Sequence, residues 1–271
     1  MNSTLNPMRG VYGLERLGRA TVRAVEEIGY LGALLIESLF WLIVGPFRRQ
    51  PVRIAAVFQQ MTQIGVNAVP IALVLAFGVG VMLAIQGIHT MKTFGAESKV
   101  VIGIALSVTR EFSSLIVGIL VAGRSGSAMA ARIGTMVVNQ EIDALRVIGI
   151  NPIRYLVAPS LLALSIVLPA LTVLADFAAL FGGAVYTSMD VGISLAAYAQ
   201  DTVEVLKVND VMQGVNKAFV FAILIALIGA GNGFVATGGA EGVGRVTTRS
   251  VVMSISAIVM ADMMFTFFLT R

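Results

Sequence analysis

The sequence predicts an all-α membrane protein, with an N-terminal interfacial helix followed by five transmembrane helices. Three observations carry this. Only 13% of the 271 residues are charged and 57% are hydrophobic, where a soluble domain would carry about a quarter charged. Mean hydropathy is +0.90. Five apolar runs reach the length of about 20 residues that a spanning helix needs.

The elements follow in chain order. The first 25 residues carry Arg9, Arg16, Arg19 and Arg23 but no apolar core of a signal peptide, so none is expected. The apolar run Tyr30–Val44 is short, holds Glu37 and Ser38, and ends in "GPFRRQP". It fits an interfacial or re-entrant helix, with Trp41 at headgroup level. Residues 1–54 therefore form an N-terminal interfacial segment and 55–271 a five-span domain. The spans run roughly Ile64–Ile88, Val100–Ala122, Tyr155–Tyr186, Val211–Val235 and Val246–Leu269. In this arrangement 13 of the 19 basic residues fall on one side, all of them arginine. The positive-inside rule makes that side cytoplasmic, with the N-terminus inside and the C-terminus outside. The net charge of +4 therefore reports orientation, and no nucleic-acid partner is expected.

Between spans two and three, Arg124–Arg154 reads as a long cytoplasmic loop. Gly126, Ala130 and Gly134 form a small-residue stripe that allows close helix approach. In "NQEIDALRVIGINP", Ile142, Leu145 and Ile148 share a face and Glu141, Asp143 and Arg146 occupy the rest. That pattern predicts a short amphipathic helix over about Asn139–Gly149, closed by the glycine. It lies on the inner leaflet or docks a cytoplasmic partner, and its mixed charges suit a protein better than an anionic leaflet. Asn151-Pro152 reads as the N-cap and first turn of span three.

Span two carries Arg110 and Glu111 inside the apolar run Val101–Ala122. Its 12 Val, Ile, Leu and Phe residues favour insertion by roughly 4–7 kcal/mol, and two central charges oppose it by roughly 5–7 kcal/mol. The two nearly cancel, so the pair must turn toward protein or a watery cavity. Neighbouring residues point about 100° apart on a helix, so each needs its own partner. Asp176, Lys217 and Asp262 are the candidate intramembrane partners, with Lys217 near enough to a span end to snorkel.

The stretch "AGRSGSAMAARIGTMVVNQEIDALRVIGINPIRYLVAP", Ala122–Pro159, resembles the signature of MlaE/YrbE-type permeases, the membrane subunits of ABC transporters that work with MCE proteins. "LAIQG" at Leu83–Gly87, "TRE" at Thr109–Glu111, "NGF" at Asn232–Phe234 and "RVTTRSVV" at Arg245–Val252 extend the likeness from about Gln59 to the C-terminus. The resemblance implies a homodimer in the bacterial inner membrane that moves phospholipids or related lipids. The loop helix is then a coupling helix, with Glu141, Ile142, Asp143, Leu145, Arg146 and Ile148 meeting a cytoplasmic ABC ATPase. Leu83, Arg110, Glu111 and Phe112 border the lipid cavity at the dimer interface. A periplasmic MCE-domain protein is the further partner, and a small cytoplasmic accessory protein is left open. The chain departs from the family at Ser113-Ser114, where many relatives carry Gly-Pro after the acidic residue. Whether span two breaks there is left to the structure.

Other chemistries find little support. The chain has no cysteine and one histidine, which leaves no disulfide, thiolate or imidazole metal site. It lacks a Walker A motif, so it holds no cofactor of its own and any ATP is bound by another polypeptide. The seven glycines of Gly229–Gly244 read as a helix end and tight turn. Gly123–Gly126 has the G-x-S-G form of an intramembrane serine protease, but His89, the one candidate base, falls at the opposite membrane face. A self-contained carrier that couples protons through Glu111 and Asp262 is the remaining rival.

Overall fold

A computed structural model describes residues 7–47, 51–96 and 99–269. These residues are helix and turn, with no strand among them. Among the described residues, five helical stretches are long and apolar enough to cross a membrane: Ile54–Lys92, Val100–Val138, Ile153–Asp190, Val208–Phe234 and Gly239–Phe268.

α1 (Pro7–Ile43) is much longer than the run that predicted it. Leu34 and Ser38 are buried, while Ile28, Ile36 and Ile43 point outward. Arg48 and Arg49 of "GPFRRQP" lie outside the described residues. The first span begins with α2 (Ile54–Ile64), tightens through a 3₁₀ turn at Val66–Ala68, and continues as α3 (Val69–Lys92). The third span begins with a wide π-turn, Ile153–Val157, and continues as α8 (Ala158–Asp190). Asn151 Oδ1 accepts from the Ile153 and Arg154 amides at 2.8 and 3.1 Å, so it caps this helix as predicted. A short α9 (Leu195–Val205) leads into α10 (Val208–Phe234), the fourth span, and α11 (Gly239–Leu269) is the fifth.

α8 is the most buried of the spans and forms the centre of the bundle. It meets α3 with almost no side chain between them. A Cβ at Gly80 would overlap the Ala179 carbonyl, and one at Gly182 the Phe77 carbonyl. Without a hydrophobic drive between helices in lipid, such backbone approach supplies the dispersion that holds them.

The second span corrects the sequence reading. It is one unbroken helix of 39 residues, Val100–Val138, roughly 58 Å long at 1.5 Å per residue. The stretch from Arg124 to Val138, expected as loop, is helix. Its parts are α4 (Val100–Ser107), a π-turn at Val108–Phe112, α5 (Ser113–Val121), a second π-turn at Ala122–Gly126, and α6 (Ser127–Val138). Ser113 and Ser114 do not break it. The small-residue stripe explains the extension. Gly126, Ala130 and Gly134 are set against Ile225, the Gly233 backbone and Ala236, and Gly229 and Gly233 accept α6 in return. Those two glycines are thus a packing seam inside α10, and Gly231 beside them receives Leu31 and Leu34 of α1. The tight turn read from the glycines is confined to Gly238 and Gly239, which have φ of +87° and +71°.

Candidate functional site

The charges in the bundle gather toward one end of spans two, four and five. Arg110 and Glu111 lie in the π-turn that follows α4. A π-turn adds a residue to the helical ring and re-aims its side chains, and such turns recur at functional sites. Arg110 Nε and Nη2 both donate to Asp210 Oδ1, at 2.9 and 2.7 Å. Asp210 also accepts the Lys207 amide at 2.9 Å, so it satisfies an open donor at the start of α10. Glu111 pairs with Lys217. Lys217 Nζ lies 3.0 Å from Asp262 Oδ1 and 3.1 Å from Thr266 Oγ1. Thr266 Oγ1 in turn stands 3.2 Å from both Glu111 oxygens and 2.9 Å from the Asp262 carbonyl. Its hydroxyl accepts from the ammonium and gives its single proton to one of those oxygens.

Adjacent residues on span two therefore find partners seven apart on α10. Asp210 and Lys217 share a face two turns apart, and Gly214 between them lets the Thr109 backbone come against α10. Lys217 does not snorkel. It is 1% exposed, enclosed by two carboxylates. Leaving several kcal/mol of hydration for each ion is tolerable only with such pairing. The five side chains sum to two positive and three negative charges. Arg110 and Glu111 remain 40% and 33% exposed, opening onto a cleft of about 220 Å³ whose walls Leu106, Ser107 and Gln213 complete.

The other expected site residues lie elsewhere. Leu83 sits half-buried on α3 against the main core, and neither it nor Phe112 lines this cleft. Asp176 is buried on α8, joins neither ion pair, and leaves Oδ1 without a hydrogen-bond partner. Asp210 and Thr266 were not singled out by sequence. The available signal was the spacing Asp210, Gln213, Lys217, which puts three polar residues on one face of an otherwise apolar helix.

The comparisons with known proteins agree with this architecture. The family model described as Permease MlaE matches residues 57–268. The chain belongs to the MlaE permease family. It is 32% identical to a probable ABC transporter permease protein of Rickettsia typhi, over 92% of this chain and 95% of the relative. It is 37% identical to one of Synechocystis sp., over 75% of this chain and 78% of the relative. It is also 35% identical to the chloroplastic protein TRIGALACTOSYLDIACYLGLYCEROL 1 of Arabidopsis thaliana, over 75% of this chain and 58% of the relative. The MlaE-family chain is thus a multi-pass transporter subunit rather than an enzyme. Geometry agrees about Ser125. Arg124 donates to the Asn67 carbonyl, which sets Ser125 level with Asn67, and His89 lies 22 residues farther along the first span, roughly 33 Å away.

At the far end of span two the amphipathic helix is α7 (Glu141–Val147), shorter than expected. Gly149 closes it at φ +80°. Ile142 is buried and Leu145 packs beside it against Ile133, Leu156 and Val157. Those two side chains therefore hold α7 to its own bundle. Glu141, Asp143, Arg146 and Ile148 are exposed, as is Val147. The start of the third span, just after α7, is tied to α1, where Asn151 Nδ2 donates to Glu37 at 2.7 Å and the Arg154 guanidinium lies 5.2 Å from the Trp41 ring centre.

Proposed function

We propose that this chain is the permease of an ABC transporter that moves phospholipids or related lipids between the bacterial inner membrane and a periplasmic MCE-domain protein. The observation that carries the reading is the network of Arg110, Glu111, Asp210, Lys217 and Asp262 opening onto a cleft among apolar helices. A charged wall within an apolar surround suits an amphiphile, with headgroup on the charges and tails on the helices. The name of the chloroplastic relative contains that of a galactolipid, which supports a lipid substrate. The chain works as a homodimer. α11 is the least buried span and supplies Thr266 to the cleft and Asp262 to the network behind it, so a second copy across a two-fold axis would enclose the site. The N-terminus is cytoplasmic and the C-terminus periplasmic, from the arginine distribution. ATP is bound by a separate cytoplasmic ATPase that meets the exposed face of α7, and its movement reaches the cleft through the continuous second span.

The test is purification of the tagged full chain from its native host, followed by lipid transfer from liposomes. An ATPase and an MCE-domain protein should accompany it. Glu111→Ala should keep both partners and slow ATP-dependent phospholipid transfer at least tenfold. Transport by the chain alone on a proton gradient, or unaltered transfer by Glu111→Ala, would overturn the reading.

A further inference from the structure

A second polar cleft lies toward the α7 end of span two. One wall is α2 and the turn after it, which present Gln60, Gln63 and Asn67. These recur at i, i+3 and i+7 and so share a helix face. The other wall is span two, where Arg124 and Ser125 leave the π-turn and Arg132 follows two turns on. Ile64, Met129, Leu156 and Leu164 form an apolar floor, and the cavity measures about 200 Å³.

Among the described residues, no carboxylate lines this cleft. Arg124 places one of its five N–H donors on the Asn67 carbonyl. Arg132 is exposed and has no hydrogen-bond or ion-pair partner among the described residues. Ile54 and Phe58 of α2 and Val66 in the next turn are also exposed and apolar, so this end of the span faces an apolar surround. Uncompensated guanidinium groups, neutral amides opposite them and an apolar floor match one chemistry: a phosphate ester that carries acyl chains.

We propose that this cleft binds the phosphate of a membrane phospholipid, held between Arg124, Arg132 and the α2 amides, with its chains in the surrounding lipid. The site is separate from the charge network and does not depend on what that network transports. Its volume fits a headgroup, so the tails stay in the leaflet nearest α7.

A photo-crosslinking residue at Ala128, exposed on the cleft wall, tests this in the full-length chain. The protein is stripped of lipid in maltoside micelles and given phosphatidylglycerol or diacylglycerol with the same chains, and adducts are read by mass. Phosphatidylglycerol should label. Arg132→Gln should cut labelling roughly tenfold, the loss of one charge-assisted contact, and Arg132→Lys should restore most of it. Excess inorganic phosphate should not compete. Equal labelling by diacylglycerol would mean an apolar groove, and competition by phosphate would mean a site for soluble anions. Either result overturns the proposal, as does full labelling of Arg132→Gln. Arg110→Gln, near the other end of the span, should leave the adduct unchanged. A parallel loss there would mean that the label reports the first cleft, and the assignment would fall.

Discussion

The second span carries polar clefts toward both of its ends, and they are built on opposite principles. Toward the end nearer α9, five charges from three spans neutralise one another to within one unit, and Lys217 is enclosed. Toward the end nearer α7, two arginines face neutral amides and no carboxylate among the described residues answers them. The first arrangement contributes to the fold, because every member would be costly to bury alone. The second contributes little to the fold and keeps its donors for something outside the chain. A π-turn sits at each place, so the same backbone device serves a closed network and an open one.

The largest effect should come from Lys217→Met. It leaves Glu111 and Asp262 facing each other without a counter-charge, and removing one partner of a buried pair costs about 3–5 kcal/mol. Thermal unfolding of the purified protein in detergent should show a clear loss of stability and yield. A variant that folds as well as the parent would break the contrast at its stronger side. Asp210→Asn comes next. It weakens the bond to Arg110 and the cap on α10 together, at about 1–2 kcal/mol, since Arg110 keeps access to water.

Much of this was legible in the sequence, and the reasons differ by level. The five spans follow from run lengths alone, because a bilayer imposes one thickness on every helix that crosses it. The end of the second span was not legible. Arg124, Ser125 and Arg132 read as loop, but they occupy one face of a helix whose other face, Gly126, Ala130 and Gly134, is seated on α10. Composition averages the two faces and periodicity alone does not name the partner. In the charge network, the cost of Arg110 and Glu111 was visible, and Lys217 and Asp262 were among the candidates. Asp176 looked equivalent, yet it is buried on α8 and joins none of the ion pairs. Asp210 falls just outside the apolar run Val211–Val235 because it lies in the first turn of α10, where it pairs with Arg110.

The exposed face of α7 provides a third test. Val147→Asp alters a side chain that is 86% exposed, so stability should hold while recovery of the ATPase in the purified complex falls about tenfold or more. Leu145→Asp should behave differently. It pushes a carboxylate into the contact with Leu156 and Val157 and should cost stability before it affects assembly. If Leu145→Asp folds normally and Val147→Asp still recovers the ATPase, then α7 is held and read by the opposite faces from those described.

The smallest expected effect is the most informative about the contrast between the two clefts. Arg132→Gln removes a full positive charge, as Lys217→Met does, yet it should shift stability by no more than about 0.5 kcal/mol, the range of ordinary surface substitutions. Among the described residues Arg132 has no partner to strand, so nothing there is left uncompensated. The measurement is the difference between the two unfolding midpoints in the same detergent, with added phosphatidylglycerol and without. Lys217→Met should be destabilised in both conditions. Arg132→Gln should match the parent without lipid and fall behind it only when phosphatidylglycerol is present, because a ligand stabilises the state it binds. If Arg132→Gln is destabilised without lipid, the arginine already has a role in the fold and the two clefts are not of different kinds.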